Sequence, residues 1–254
     1  MFIFDTHPVL TVAALLLHGL LASLLAWGLA RYAVRRWGSD CVPVAPYFVT
    51  VTTLLAIVFA FLASDIWFLN REAGAASRAE EEALTRLANI ASEIVAEEDR
   101  LATDLRLYAH QIVTEEWGRT HNRFASDIAD SAIVALRQET TRLSSTGLPQ
   151  AVGAELFRSI DALSEARQLR LHIGSGHGDA YRWSLILILS VFSHIAVAFV
   201  HGDRPKALIL SLAVFSLALS TSICVMAIYD SPYFGVATVQ MPDLVQIVAS
   251  SSRS

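Results

Sequence analysis

Apolar residues along this chain come in blocks. Residues 9–30, 41–64, 183–202 and 207–229 contain no Asp, Glu, Lys or Arg. A helix rises about 1.5 Å per residue, so about 20 apolar residues cross the hydrocarbon of a bilayer. Each run reaches that length, and none shows the polar face of a buried soluble helix. The pattern predicts four membrane spans, at about 9–30, 46–66, 183–202 and 207–229.

Between the second and third spans the pattern changes period. From Arg71 to Trp117 there is no Pro, and Gly74 is the only Gly. Apolar positions fall at Leu84, Leu87, Ala91, Ile94, Leu101, Leu105, Tyr108 and Ile112, in steps of three and four, with Glu98 in the one seam position that should be apolar. This is a coiled-coil-like heptad, and it predicts one long helix ending at Trp117-Gly118. A second helix reads from about Thr120 to Ser145 and a third from about 150 to 172, separated by Gly147 and Pro149. The run Gly174-Ser175-Gly176-His177-Gly178 reads as a flexible joint. The expected fold is an all-α membrane protein of four transmembrane helices. A long extramembrane helical hairpin or coiled-coil-like domain sits between the second and third. Its parts are a first helix pair at 1–70, the helical domain at 71–182, a second pair at 183–229 and an interfacial tail at 230–254. Two arrangements of the domain stay open: one long ascending helix with two shorter ones descending, or a squat bundle broken near Gly74 or Glu98. A narrow seam buries little surface, so a homo-oligomer is expected.

Composition sharpens this. The chain is 54% hydrophobic and 17% charged, below the quarter typical of soluble domains, which argues against a soluble enzyme. Residues 71–182 hold 13 of the 19 basic and 18 of the 24 acidic residues, so the polar chemistry is confined to the insert and its balance is acidic. There is no basic stripe for nucleic acid. The short loops carry Arg31, Arg35 and Arg36, and Arg204 and Lys206. By the positive-inside rule these loops are cytoplasmic. The N-terminus, the 71–182 domain and the C-terminus are then extracytoplasmic, in a bacterial inner membrane. No Lys or Arg precedes the first run, which is longer than a signal-peptide core, so it reads as a retained anchor.

Candidate chemistry is sparse. No nucleophile motif, zinc motif or glycine-rich phosphate loop occurs, so neither enzymatic activity nor a cofactor is expected. His172, His177 and Asp179 form a loose cluster too mobile for a metal site, and Cys41 and Cys224 read as unpaired. His18 and His194 lie inside spans, where ionisable groups either serve function or hydrogen-bond between helices. In the fourth span Ala213, Ser216, Ser220, Cys224 and Ala227 share one face, a helix-packing seam before a pore wall. The second span carries Thr50, Thr52, Thr53, Ser64 and Asp65. Thr53, Ser64, Asp65 and Asp230 are candidates for a pore or its mouth, and two carboxylates per subunit there would favour cations. Capping, or pairing of Asp65 with Arg71, is the plainer alternative.

The segment FLASDIWFLNREA (61–73), the Glu/Ala/Leu-rich helix after it, and the fourth span running into DSPYFG (230–235) resemble the bestrophin-like bacterial membrane proteins. The resemblance covers nearly the whole chain and implies a likeness to bestrophins, oligomeric anion channels with a hydrophobic neck. Neither the acidic calcium clasp nor the aromatic neck of a bestrophin can be placed on residues here, and an acidic mouth fits anions badly. Two functions compete. The first is an oligomeric, non-catalytic sensor or scaffold acting through the helical domain, with a membrane or envelope protein as partner. The alternative is an oligomeric ion channel with Ser/Thr-lined spans. A transporter would need broken spans and internal repeats, which are not evident.

Overall fold

The computed structural model describes residues 8–39, 42–93, 99–176, 180–234, 238–240 and 242–244. Every regular element among them is helical: α1 (Pro8–Trp37), α2 (Ala45–Glu93), α3 (Asp99–Gln111), a π-helical segment (Ile112–Arg119), α4 (Asp127–Ser145), α5 (Gln150–Ser175), α6 (Ala180–Val200) and α7 (Pro205–Tyr229). Four of these are long and apolar enough to cross a membrane: α1, α2, α6 and α7. The chain divides into two compact units, Met1–Phe68 with Gly178–Ser231 and Gly235–Ala237, and Leu69–His177 with Pro232–Phe234 and Thr238–Ser254. Helix α2 contributes to both.

In the first unit α1 packs on α6 and α7, and α6 on α7. Ala26, Ala30 and Ala198 are fully buried beside Leu208 and Leu212. Residues this small let helix backbones approach where lipid supplies no hydrophobic drive. Two polar groups tie α6 into the bundle. His18 Nε2 lies 2.8 Å from Ser190 Oγ, whose own proton goes to the Leu187 carbonyl, so His18 donates. His194 Nδ1 donates to the Ser190 carbonyl at 2.7 Å, and its ring stands edge-on to Phe215 at 5.0 Å.

The second unit departs from the one long helix and follows the other arrangement left open, a bundle in which α2 ends at Glu93 and α3 begins at Asp99. Tyr108 Oη donates to Glu80 Oε1 at 2.7 Å. Twenty-eight positions along one straight helix would separate them by about 42 Å. Helix α3 is therefore not a continuation of α2 but runs back along it. Gly74 leaves α2 unbroken. Of the predicted seam, Leu84, Leu87, Leu101, Leu105, Tyr108 and Ile112 are buried in one core and Ala91 is packed against it. Ile94 and Glu98 lie outside the described residues, as do Cys41, His177, Asp179 and residues 245–249 of the tail. The same core takes Ala129, Ala132 and Leu136 from α4, and Leu156, Ile160 and Leu163 from α5. The unit is thus a bundle rather than a two-stranded hairpin with one narrow seam.

Two further boundaries differ from the pattern. Helix α4 starts seven residues late, at Asp127, because Ser126 caps it: its hydroxyl accepts from the Ala129 amide. The stretch before it contains His121 and Asn122 at φ 50° and 62°. Helix α5 runs beyond the expected end near 172 into the first two residues of the predicted joint, ending at Ser175. A Cβ on Gly174 would collide with the Asn122 carbonyl, so this glycine permits a close helix–loop contact and is not a hinge.

Candidate functional site

Helix α2 is the least covered of the four spans. Only 11% of its most apolar window is buried by the rest of the chain, against 28% for α1 and α7 and 50% for α6. Its hydroxyls divide into two sets. Thr50 and Thr52 bond back to the carbonyls of Pro46 and Phe48 in their own helix. Thr53 and Ser64 are exposed and make no hydrogen bond among the described residues. Eleven positions are about three turns, which places Thr53 and Ser64 on one face some 16 Å apart. Ile57 and Ala60, exposed between them, complete a neutral stripe. A hydroxyl facing hydrocarbon without a partner costs several kcal/mol, whereas water satisfies it.

The carboxylates named from the sequence each have a partner in α6. Asp65 Oδ2 accepts from Arg182 Nη1 at 2.8 Å, and Asp230 Oδ2 from Trp183 Nε1 at 3.0 Å. Both Asp65 and Arg182 remain more than half exposed as side chains or nearly so, at 59% and 50%. An exposed pair of this kind contributes little stability but cancels the local charge. Trp67 and Tyr229 stack nearby, their ring centroids 5.3 Å apart. Asp65 thus pairs with Arg182 and not with Arg71.

The α7 stripe divides. Ser216 and Ser220 lie against Gly19 of α1, whose missing side chain makes room for them, and Cys224 joins the cluster around Leu15. Ala227 is half-buried against that cluster, while Ala213 is exposed. His172, the one described member of the His/Asp cluster, is exposed, and no group of three metal-ligating side chains occurs among the described residues.

The polar centre of the second unit was not among the sequence candidates. Arg170 and Glu80 are both fully buried. Arg170 holds Glu80 bidentately, Nε to Oε2 at 2.6 Å and Nη2 to Oε1 at 2.9 Å. Nη2 also reaches Glu116 Oε2 at 2.8 Å, and Nη1 reaches Asn122 Oδ1. Arg167, one turn earlier, binds Glu116 Oε1 at 2.6 Å and also Asp130. Glu116 further accepts from the Ser126 amide at 2.9 Å. The fork of a guanidinium suits this bridging of two carboxylates. Burial is the largest single influence on Arg170 and opposes its charge, but the charge and hydrogen bonds of Glu80, with Tyr108 and Glu116, together outweigh it and hold the group protonated more firmly than usual. Burial, then the charge of Glu80, pushes the Tyr108 hydroxyl well above its ordinary range.

A signal for this centre exists in the sequence. On α2 the steps of three and four extend backward from Leu84 through Glu80 and Ser77 to Ala73, all buried. Beyond α3, in the π-helical segment, they extend forward from Ile112 to Glu116. On α5 they run from Leu156, Ile160 and Leu163 into Arg167 and Arg170. Three apolar stripes end in charges that complement one another. The π-helical pairing of residues five apart puts Trp117 on the face of Ile112 while Glu116 stays buried beside it.

The tail closes over this region. Tyr233 stands edge-on to Trp117 at 5.2 Å and donates to the Ala73 carbonyl at 3.2 Å. Phe234 meets His121 edge-on at 4.9 Å and lies under the Arg123 guanidinium at 5.6 Å. Leu244 is fully buried in the same core. The described part of the tail is therefore a strap packed on the second unit.

A family model described as a bestrophin-like domain matches residues 17–243. No curated protein matches the chain by sequence. Among solved structures, one bestrophin homologue from Klebsiella pneumoniae carrying a point substitution aligns with a TM-score of 0.70 at 14% identity, over 96% of this chain and 95% of that one. Another variant of it gives 0.68 at 15%, over 96% and 97%. A crystal structure described as a membrane protein gives 0.69 at 16%, over 96% of both chains. Identities this low speak for the fold alone.

Proposed function

Because this chain belongs to the bestrophin-like family of integral membrane proteins, we propose that it is an oligomeric membrane channel, with the uncovered face of α2 lining the conducting path. One observation carries the reading: the span with least cover from its own chain is the one whose Thr53 and Ser64 face outward without hydrogen-bond partners. Copies of α2 around a common axis would supply both the missing cover and a wet lumen. Ile57 and Ala60 would form its apolar middle, where narrow neutral walls control passage by dewetting. Pairing of Asp65 with Arg182 removes the support for an acidic, cation-selecting mouth, so the conducted species are small inorganic ions of either sign.

The family and the bare α2 face weigh for a pore over a sensor or scaffold, which no feature of the helical unit specifically favours. The orientation proposed from the short-loop arginines places residues 71–182 outside the inner membrane. A reporter fused at residue 146 tests it, and cytoplasmic activity there reverses the assignment.

The pore reading is tested by cysteine accessibility in a C41S/C224S background. Thr53→Cys and Ser64→Cys should react with a water-soluble methanethiosulfonate in reconstituted protein, while Leu217→Cys, exposed on α7, should not. Equal protection of all three would count against an aqueous α2 face.

A further inference from the structure

We infer that the end of the first unit formed by the last turns of α1 and the α6–α7 turn is a binding site for the headgroup of an anionic phospholipid. The two segments are far apart in sequence, and Gly202 brings them together. It is buried, and a Cβ on it would sit 3.1 Å from Val34 Cγ2, so the turn rests directly on α1. Arg35 and Arg36 on one side and Arg204 and Lys206 on the other are all exposed, and Arg31 is half-buried beneath them. Among the described residues, the carboxylate set against these five cations is Asp203, which touches Arg204 at 3.6 Å. Arg31, Arg35, Arg36 and Lys206 have no ion-pair partner among the described residues. Five arginines of the second unit contrast with this: Arg86, Arg119, Arg137, Arg142 and Arg158 each lie beside a carboxylate.

A second observation selects a lipid over free phosphate. Tyr32 and Trp37, each 62% exposed, stand edge-on to one another at 6.2 Å on the same turns. Rings of this kind sit at headgroup depth. Leu25 and Leu29 are exposed one to three turns deeper on α1. Cations interleaved with rings on the same turns, next to bare aliphatic surface deeper on α1, match a phosphodiester carrying acyl chains. A free phosphate ion would use only the cations. Clustered Lys and Arg beside a span attract anionic lipid in the same manner. The inference does not depend on the channel reading.

Spin-label resonance on the full chain in phosphatidylcholine nanodiscs tests it, with trace spin-labelled phosphatidylglycerol or phosphatidylcholine as the probe. The immobilised fraction should favour phosphatidylglycerol by about fivefold at low salt and lose that preference as salt rises. R35Q/R36Q/R204Q/K206Q should abolish the preference, R35K/R36K/R204K should retain it, and R86Q/R119Q/R158Q, a comparable charge loss in the second unit, should leave it intact. If the fourfold variant does not insert, R35Q/R36Q must still lower the preference at least about twofold. Equal retention of both labels, survival of the preference in the rim variants, or its loss in the second-unit control overturns the proposal. Displacement of the label by millimolar inorganic phosphate would assign the site to free phosphate and overturn it equally.

Discussion

Arg170 is the residue on which the second unit depends most. It is fully buried, binds two carboxylates and an amide, and lies over the Trp117 ring at 5.6 Å. Removing one partner of a buried pair strands the other charge and costs about 3–5 kcal/mol. Arg170→Ala and Glu80→Ala should each lower unfolding stability by about that amount, measured by denaturant titration of the full chain in detergent, whereas Arg158→Ala at the surface should cost well under 1 kcal/mol, roughly. The pH dependence follows from Tyr108 and Tyr233, both raised mainly by burial. At alkaline pH the unfolded chain releases their protons near pH 10, roughly, while the folded chain keeps them. Their contribution is therefore complete below that point and is lost as pH rises above it. A Y108F/Y233F double variant should show a shallower fall in stability above pH 10, approximately; an unchanged slope would refute the assignment.

Among elements, the four spans were legible because charge-free runs of sufficient length have few other solutions. The core of the second unit was legible in part, since the seam residues from Leu84 to Ile112 are in it. What the pattern left undecided was whether one helix continues or breaks near Glu98. Periodicity is the same on both sides of a reversal, and the residues around 94–98 carry neither Gly nor Pro to mark it. Among the described residues the buried acids of the seam are Glu80 and Glu116; they escaped notice because a charge at a seam position reads as the end of the stripe. Gly174 was misread for a related reason: a glycine that admits a neighbour's carbonyl looks, in sequence, like one that admits motion. Gly174→Ala should therefore destabilise the unit by about 1–3 kcal/mol, as overpacking does, and a neutral or stabilising result would restore the hinge. The strap makes its own prediction. Tyr233→Ala removes the ring packed on Trp117 and should increase proteolytic cleavage of the tail with little change in helix content by circular dichroism.

At the scale of the molecule, the account rests on a surface that one chain leaves bare. Leu54, Ile57, Phe61, Trp67 and Phe68 of α2 are all at least half exposed in a span that also presents Thr53 and Ser64. Sequence singled out Thr53 and Ser64, but the physical ground for setting Thr50 and Thr52 aside, that they bond carbonyls of their own helix, is visible only in the structure. Nor could sequence show that Asp65 is matched to Arg182, 117 positions away. The most direct test is current across a planar bilayer containing the purified, reconstituted oligomer. The account predicts single-channel steps carried by small inorganic ions, and their loss in a Thr53→Trp variant that assembles normally. Silence of intact oligomers across varied ions, voltage and pH would contradict it.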